Sequence, residues 1–421
     1  MAADQGAGPG RGTGPGRRRA GPSRRLLVSG GVAAGGAFAA IGTDQMLGRG
    51  EDTPAAAPGP APLHGGRTEP FHGTRQAGIA SAPQAHATFL ALDLRDGVDR
   101  DGIRRMLRIL SDDTDRLTRG EPALADSEPE LGLVPARLTV TFGFGPGLVA
   151  RAAGDAAVPS WLRGLPAFAV DRLDPAWTGG DLLLHIGADD PVTVAHATRM
   201  LLKDCRGFAA LRWRQSGFRR SHGAEPAGTT MRNLFGQIDG SANPTPGTAE
   251  FDRLVWCGDD HGWLAGGSTL VVRRITMDLD RWDRLDRSGR EQAVGRSLSN
   301  GAPLTGSREH DEPDFTATTA IGFPVIPEFS HVRRARSDNP TERIFRRSYN
   351  YDDGPTDGRV SNSGLVFASY QADVTGQFVP IQRRLDELDL LNEWITPVGS
   401  AVFALPPGCA PGGFVGETLL A

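Results

Sequence analysis

From about Gln76 onward the apolar and polar positions fall into two alternating periods. Ala87–Leu94 is apolar up to Asp93 and predicts a strand, whereas Arg104–Leu117 sets Met106, Leu107, Leu110 and Leu117 near helical spacing. Arg137–Phe144 alternates as a strand and stops at Gly145-Pro146-Gly147. Asp181–Ile186 predicts another strand, and Pro191–Cys205 a helix with proline in its first turn and Asp189 or Asp190 as its cap. Leu211–Gln215 closes this half as a strand.

The second half repeats the grammar. Ser268–Asp278 predicts a strand, Arg284–Gly295 a helical segment, Gly364–Ala372 a strand, and the stretch around Pro380–Leu388 a helix. Two fragments match more closely: Leu182–Asp189 (LLLHIGAD) and Val366–Asp373 (VFASYQAD) each precede a helix at the equivalent place. We read a weak internal duplication of an α+β unit, divided near residue 240. Antiparallel sheets with helices packed on one side follow.

Residues 1–40 differ in kind. Gly, Pro and Arg dominate to Ser23, then Arg24 and Arg25 precede an apolar run of small residues, Val28–Ala40. This predicts a twin-arginine export signal cleaved near Ala39–Ala40, and the glycine-interrupted run falls short of the ~20 strongly apolar residues of a stable membrane span. Residues 41–70, rich in Ala, Pro and Gly, predict a disordered linker. The formal charge of −4 leaves no basic excess to answer a phosphate backbone, so nucleic acid is excluded as a partner class. Cys205, Cys257 and Cys409 are odd in number and scattered, which predicts three buried thiols and no disulfide framework.

Two segments carry candidate chemistry. Gly236-Gln-Ile-Asp239-Gly240, followed by Ser-Ala-Asn-Pro244, predicts a tight turn around an acid that something can approach closely; taken alone, such a motif is usually a turn with a solvated aspartate. Ser330-His331-Val-Arg333-Arg334-Ala-Arg336 and Arg343-Ile-Phe-Arg346-Arg347-Ser-Tyr349 place one histidine among six arginines. That is a surface basic stretch, or the source of an axial imidazole and of cations for the propionates of a haem.

Together these segments resemble the dye-decolourising peroxidase family, whose hallmark is GxxDG with a downstream Asn-Pro. The resemblance spans most of the folded chain: Gln76-Ala-Gly-Ile79, Gly143-Phe-Gly-Pro146, Trp263–Ser268, Gly301–Gly306, His331 with Arg346-Arg347, and Trp394–Gly399 leading to Phe403–Pro406. Arg75 stands where relatives often carry His, and Thr269 where an aromatic is common; neither position is a ligand in the family. The resemblance implies an α+β fold of two ferredoxin-like domains with facing antiparallel sheets (the dimeric α+β barrel type), residues 71–240 and 241–421. It also implies one haem b, held mostly by the second domain.

The same resemblance assigns roles. His331 is the proximal iron ligand, rather than His310 in its acidic loop, and Glu393 is the anionic partner of its other ring nitrogen. Asp239 shuttles the peroxide proton, while Arg346, fifteen residues after His331, stabilises developing negative charge. Arg333 and Arg296 contact the propionates. Trp394, Tyr349 and Tyr370 are electron-path candidates by position, although for any one of them a purely structural core role is the commoner reading. The implied function is peroxidation of dyes, phenols or other bulky organic donors by hydrogen peroxide through a ferryl intermediate. Recovery of iron from haem in iron acquisition, as by a deferrochelatase, is the alternative. The expected location is outside the cytoplasm, reached through the twin-arginine machinery, and a homo-oligomer remains open.

Overall fold

In the computed structural model, which describes residues 63–355, 358 and 360–421, the predicted alternation takes shape as an α+β fold built on a mainly antiparallel sheet. The first half runs β1 (His86–Leu94), α1 (Arg100–Thr118), β2 (Thr139–Phe144), α2 (Pro146–Ala153), β3 (Leu182–Ala188), α3 (Pro191–Cys205) and β4 (Ala209–Phe218). The second runs α4 (Ala249–Val255), β5 (Ser268–Met277), α5 (Leu279–Trp282), α6 (Arg287–Val294), α7 (His331–Ala335), β6 (Phe345–Arg346), β7 (Tyr349–Asp352), β8 (Ser363–Gln371), α8 (Val379–Leu388) and β9 (Ile395–Leu405).

Local chemistry sets the helix starts. The Asp190 carboxylate, rather than that of Asp189, accepts from Thr193 N at 2.9 Å and caps α3, with Pro191 as its first residue. Asp189 instead accepts from the backbone of Ala85. Strand β9 covers a stretch that periodicity alone left unassigned. Its Pro397 lies beside a register shift in the β5–β9 ladder, where a residue without an N–H is tolerated.

The strands join in the order β5-β9-β2-β3-β1-β4-β7-β8, with β6 also paired to β8, and β5 pairs back to β8 to close the ladder. Inside each half the registers are long, nine residue pairs between β5 and β8 for example. The two seams between halves are short: Phe144 opposite Ala404, and Phe218 opposite Asn350. A methyl group on Gly143 would sit 2.9 Å from Phe403 Cβ, so this glycine permits close approach at the first seam, whereas one on Gly145 would run into the Gly180 carbonyl within the first half.

Both faces of β1 are buried. Leu90 and Leu92 pack with Ile103, Met106, Leu107 and Leu110 of α1, while Ala87, Phe89 and Ala91 point inward toward Leu270, Tyr370 and Phe403. This explains why its sequence is a continuous apolar run rather than an alternating one. Each leucine fully removed from water on the helix side contributes about 1.5–3 kcal/mol.

The predicted twin-arginine segment, residues 1–40, lies outside the described residues, as does most of 41–70. The linker expected over 41–70 is corrected at its end: from Leu63 the chain is packed on the body. Ala136 N donates to Gly65 O, Arg137 N to Arg67 O, and the Arg137 side chain to Glu69. These hydrogen bonds offset the glycine-rich composition that pointed to disorder. All three cysteines are buried and free, and burial raises the Cys205 and Cys257 thiols to about 12. Among the described residues, no helix is long and apolar enough to cross a membrane.

Candidate active site

The segment holding Asp239 folds back on itself: Arg232 bridges to Ile238, and Asp239 N donates to Met231 O at 2.8 Å. Gly236 (φ 81°) and Gly240 (φ 133°) occupy backbone conformations costly for other residues, which accounts for the two glycines flanking the acid. Asn243, three residues on, exchanges two hydrogen bonds with the backbone of Arg346: its Nδ2 donates to Arg346 O at 2.7 Å, and its Oδ1 accepts from Arg346 N at 3.0 Å. The turn and strand β6 are thereby locked together. Arg346 Nη1 then donates to Asp239 Oδ1 at 2.6 Å. Asp239 Oδ2 carries no hydrogen bond among the described residues, and the neighbouring Gln237 Nε2 and Ser241 Oγ are buried without partners.

His331 opens α7, directly after the buried Ser330. Its Nδ1 donates to Asp389 Oδ2 at 2.6 Å; the other Asp389 oxygen accepts from Leu391 N at 3.0 Å. A carboxylate can only accept here, so Nδ1 holds a proton, and in the neutral ring Nε2 is left with a lone pair. The imidazole is half-buried, with 30% of its side chain accessible. Burial alone would pull its pKa down, but the charge and hydrogen bond of Asp389 reverse this and hold it above the ordinary value. The charges of Arg346 and Asp239 also act on this ring, the first lowering its pKa and the second raising it.

The partner expected for His331 was Glu393, and this is corrected. Glu393 is 60% exposed and pairs with Arg281 at 3.2 Å, while Asp389, 1% exposed, takes the place beside the imidazole. The short helical turn Leu390–Glu393, capped by Asp389 itself, carries Glu393 to the surface. Sequence offered a weak signal for Asp389, an acid at a helix end before Leu-Leu; with Asp386, Glu387 and Glu393 nearby, only geometry selects among them. Asn243 was legible as half of a motif but not as a clamp. Gly295 was missed entirely: a methyl group there would meet Val332 Cγ1 at 2.4 Å, so its absence lets α7 pack close.

Arg333 Nη1 donates to the Phe315 and Ile326 carbonyls at 3.1 Å each, and Arg296 Nη1 to the Gly301 and Glu309 carbonyls. Burial lowers the Arg296 pKa. Among the described residues neither guanidinium has a carboxylate within ion-pair distance, so both retain capacity for an anionic ligand. His310 lies exposed beside Glu309. Tyr349 and Tyr370 are fully buried, with Tyr370 Oη 3.0 Å from His185 Nδ1, and Trp394 packs edge-on against Trp282.

The sequence pattern of Dyp-type peroxidase, N-terminal, matches residues 76–219, and that of Dyp-type peroxidase, C-terminal, matches 230–410. The chain belongs to the Dyp-type peroxidase family. A dye-decolorizing peroxidase of Thermobifida fusca is 39% identical over 359 residues, covering 82% of this chain and 83% of that protein. A deferrochelatase of Escherichia coli K12 is 33% identical, covering 81% and 84%. The crystal structure of a DyP-type peroxidase from Cellulomonas bogoriensis superposes with a TM-score of 0.83 at 53% identity, over 85% of this chain and 99% of the other. DtpA from Streptomyces lividans, solved as an oxyferrous complex, gives 0.82 at 41% identity, over 86% and 100%. This Dyp-type chain is therefore an enzyme of the peroxidase class.

Proposed function

We propose that the chain binds one haem b through His331 Nε2 and uses hydrogen peroxide to oxidise dyes, phenols or other bulky donors. The observation that carries this reading is the arrangement around His331: a buried carboxylate on one ring nitrogen, a free lone pair on the other, and an acid–guanidinium pair within electrostatic reach. The residues fit the group. Arg333 and Arg296 are cations available to propionates, and two residues near Asp239 in sequence, Gln237 and Ser241, each hold a buried polar atom without a partner.

When bound, haem supplies the electrons that cleave the peroxide bond and passes the oxidising equivalents to the donor. Asp389 holds the His331 proton on Nδ1, which keeps Nε2 unprotonated and makes the imidazole more electron-donating. Asp239, oriented through Oδ1 by Arg346, accepts a peroxide proton at Oδ2 and returns it to the oxygen that departs as water. Arg346 lies alongside, where its fixed charge stabilises negative charge built up as that oxygen leaves. The clamp from Asn243 keeps both groups in place, so little reorganisation is required when peroxide arrives.

We read the strand order as two ferredoxin-like units, each running fourth-first-third-second when β6 and β7 count as one strand, with residues 71–240 and 241–421 as the domains. We also read residues 1–40 as the twin-arginine signal, which puts the working enzyme outside the cytoplasm. The test is the visible spectrum of purified protein before and after one equivalent of peroxide, followed by turnover of an anthraquinone dye. A Soret band that responds to peroxide, with steady dye oxidation, is expected. Absence of haem after expression with ample iron would overturn the proposal. The likeness to a deferrochelatase keeps a second reading in view, and release of iron with intact porphyrin in place of dye turnover would favour it.

A further inference from the structure

We propose that His64, Asp189 and His222 form a binding site for a divalent transition-metal ion, separate from the peroxide chemistry. The three come from distant parts of the chain: the first described turn, the end of β3, and the loop after β4. One ligand atom from each lies within 4.8 Å of the others. His64 Nε2 is 2.8 Å from Asp189 Oδ2, and the rings of His64 and His222 stack face to face, with centroids 3.4 Å apart and planes 5° apart. None of the three shares a hydrogen bond with Asp239, Arg346, His331 or Asp389.

The donor types suit a metal ion, because each imidazole offers a ring-nitrogen lone pair. The carboxylate is also available. Arg137 contacts Asp189 at 3.1 Å but is shared with Glu69 at 3.0 Å, so two acids face one guanidinium and a net negative charge remains. Asp189 is 4% exposed and held by Ala85 N, which fixes one ligand rigidly.

Ligand type selects the ion. Two imidazoles with one carboxylate suit zinc, copper or nickel, whereas calcium and magnesium take oxygen donors. Bonds of about 2.1 Å to a tetrahedral ion place ligand atoms about 3.4 Å apart, a spacing bracketed by the 2.8 Å between His64 Nε2 and Asp189 Oδ2 and the 4.8 Å within which all three ligand atoms lie, so small side-chain shifts suffice. Stacked rings also direct their lone pairs side by side, so His222 must swing off the face of His64. It is exposed and free to do so. Solvent occupies the fourth position. A bound ion would staple the segment entering at Leu63 to the loop after β4, adding a link between residues distant in sequence.

The test uses the full-length haem-loaded enzyme, cleared of metal by a chelator, and zinc as the sole added ion. Calorimetry should detect one zinc per chain at this site. His64→Ala and His222→Ala should each weaken it by at least about 10- to 100-fold, the loss that removing even an outer partner of a metal ligand causes. His310→Ala, an exposed histidine elsewhere, should leave binding unchanged, and all three variants should keep parent peroxide turnover. Zinc should slow hydrogen exchange of the amides at residues 64–67 in the parent but not in His222→Ala. No zinc binding, or equal affinity in a His64→Ala/His222→Ala double variant, would overturn the proposal, as would exchange at residues 64–67 that zinc leaves unaltered.

Discussion

Replacing Asp389 by asparagine removes one charge and one of its two acceptor oxygens while keeping the side chain's shape. The asparagine amide oxygen can still accept from Leu391 N or from His331 Nδ1, and the side chain keeps its volume in a site 1% exposed. What is lost is the carboxylate at 2.6 Å that makes the imidazole a strong donor. Outer partners of metal-bound histidines are worth about 10- to 100-fold in affinity, or ~1.4–2.8 kcal/mol. A unit charge about 4 Å away at an effective dielectric near 20 gives ~4 kcal/mol, which bounds the effect from above. Haem transfer to apomyoglobin should therefore run about 10- to 100-fold further in Asp389→Asn, and the midpoint potential of the bound iron should rise because the oxidised state loses its anionic support. Glu393→Gln is the matched control: its exposed pair with Arg281 is of a kind worth about 0–1 kcal/mol, so both readouts should stay near parent values. If Glu393→Gln shifts the potential and Asp389→Asn does not, the reasoning fails.

Arg346→Leu should slow the peroxide reaction, followed at the Soret band by stopped flow, by about 100- to 1,000-fold at every pH, the usual cost of a positioned charge donor. Asp239→Asn should show a pH-dependent defect, since the amide cannot take a proton; equal, pH-independent losses in the two would contradict their division of labour. His331→Ala should abolish stable haem retention, and a near-parent Soret spectrum would move the ligand elsewhere. A fourth expectation concerns stability. Burial and the charge of Asp113 raise the Asp204 carboxyl to about 7, and its Oδ2 has no partner. The folded state then binds a proton the unfolded chain has released, so this contribution is full below pH ~4 and is lost as pH rises through 7. Asp204→Asn should gain on the parent in urea melts between pH 5 and pH 8, by about 1–3 kcal/mol after discounting for partial exposure and the shared proton. A constant difference across that range would refute the assignment.

Elements with one dominant period were legible from sequence. Pro191–Cys205 is read to the residue because Pro191 and Cys205 bracket a strong helical pattern, and Ser268–Met277 follows its apolar run to within a residue. β6 and β7 were not legible, being two and four residues long and separated by the buried Arg347 and Ser348, which break any period. At the site, the glycines around Asp239 announced a turn, since positive φ leaves a mark in sequence. The Asp389–His331 contact spans 58 residues and leaves none, because nothing local distinguishes the acid that points inward from one that points out.

The glycines near the seam alter what a motif match reports. Gly143 and Gly145 belong to one of the stretches by which the chain resembles its relatives, yet neither hydrogen-bonds to Asp239, Arg346 or His331; they make room for Phe403 and for the Gly180 carbonyl. With a single residue pair joining β2 to β9, backbone bonding there is slight, and side-chain fit has to supply most of the cohesion. Gly143→Ala would test assembly of the barrel without touching its chemistry. Gly143 makes room for a strand of the other half and Gly145 for the Gly180 carbonyl of its own half, so this part of the signature reports on how the strands pack rather than on turnover.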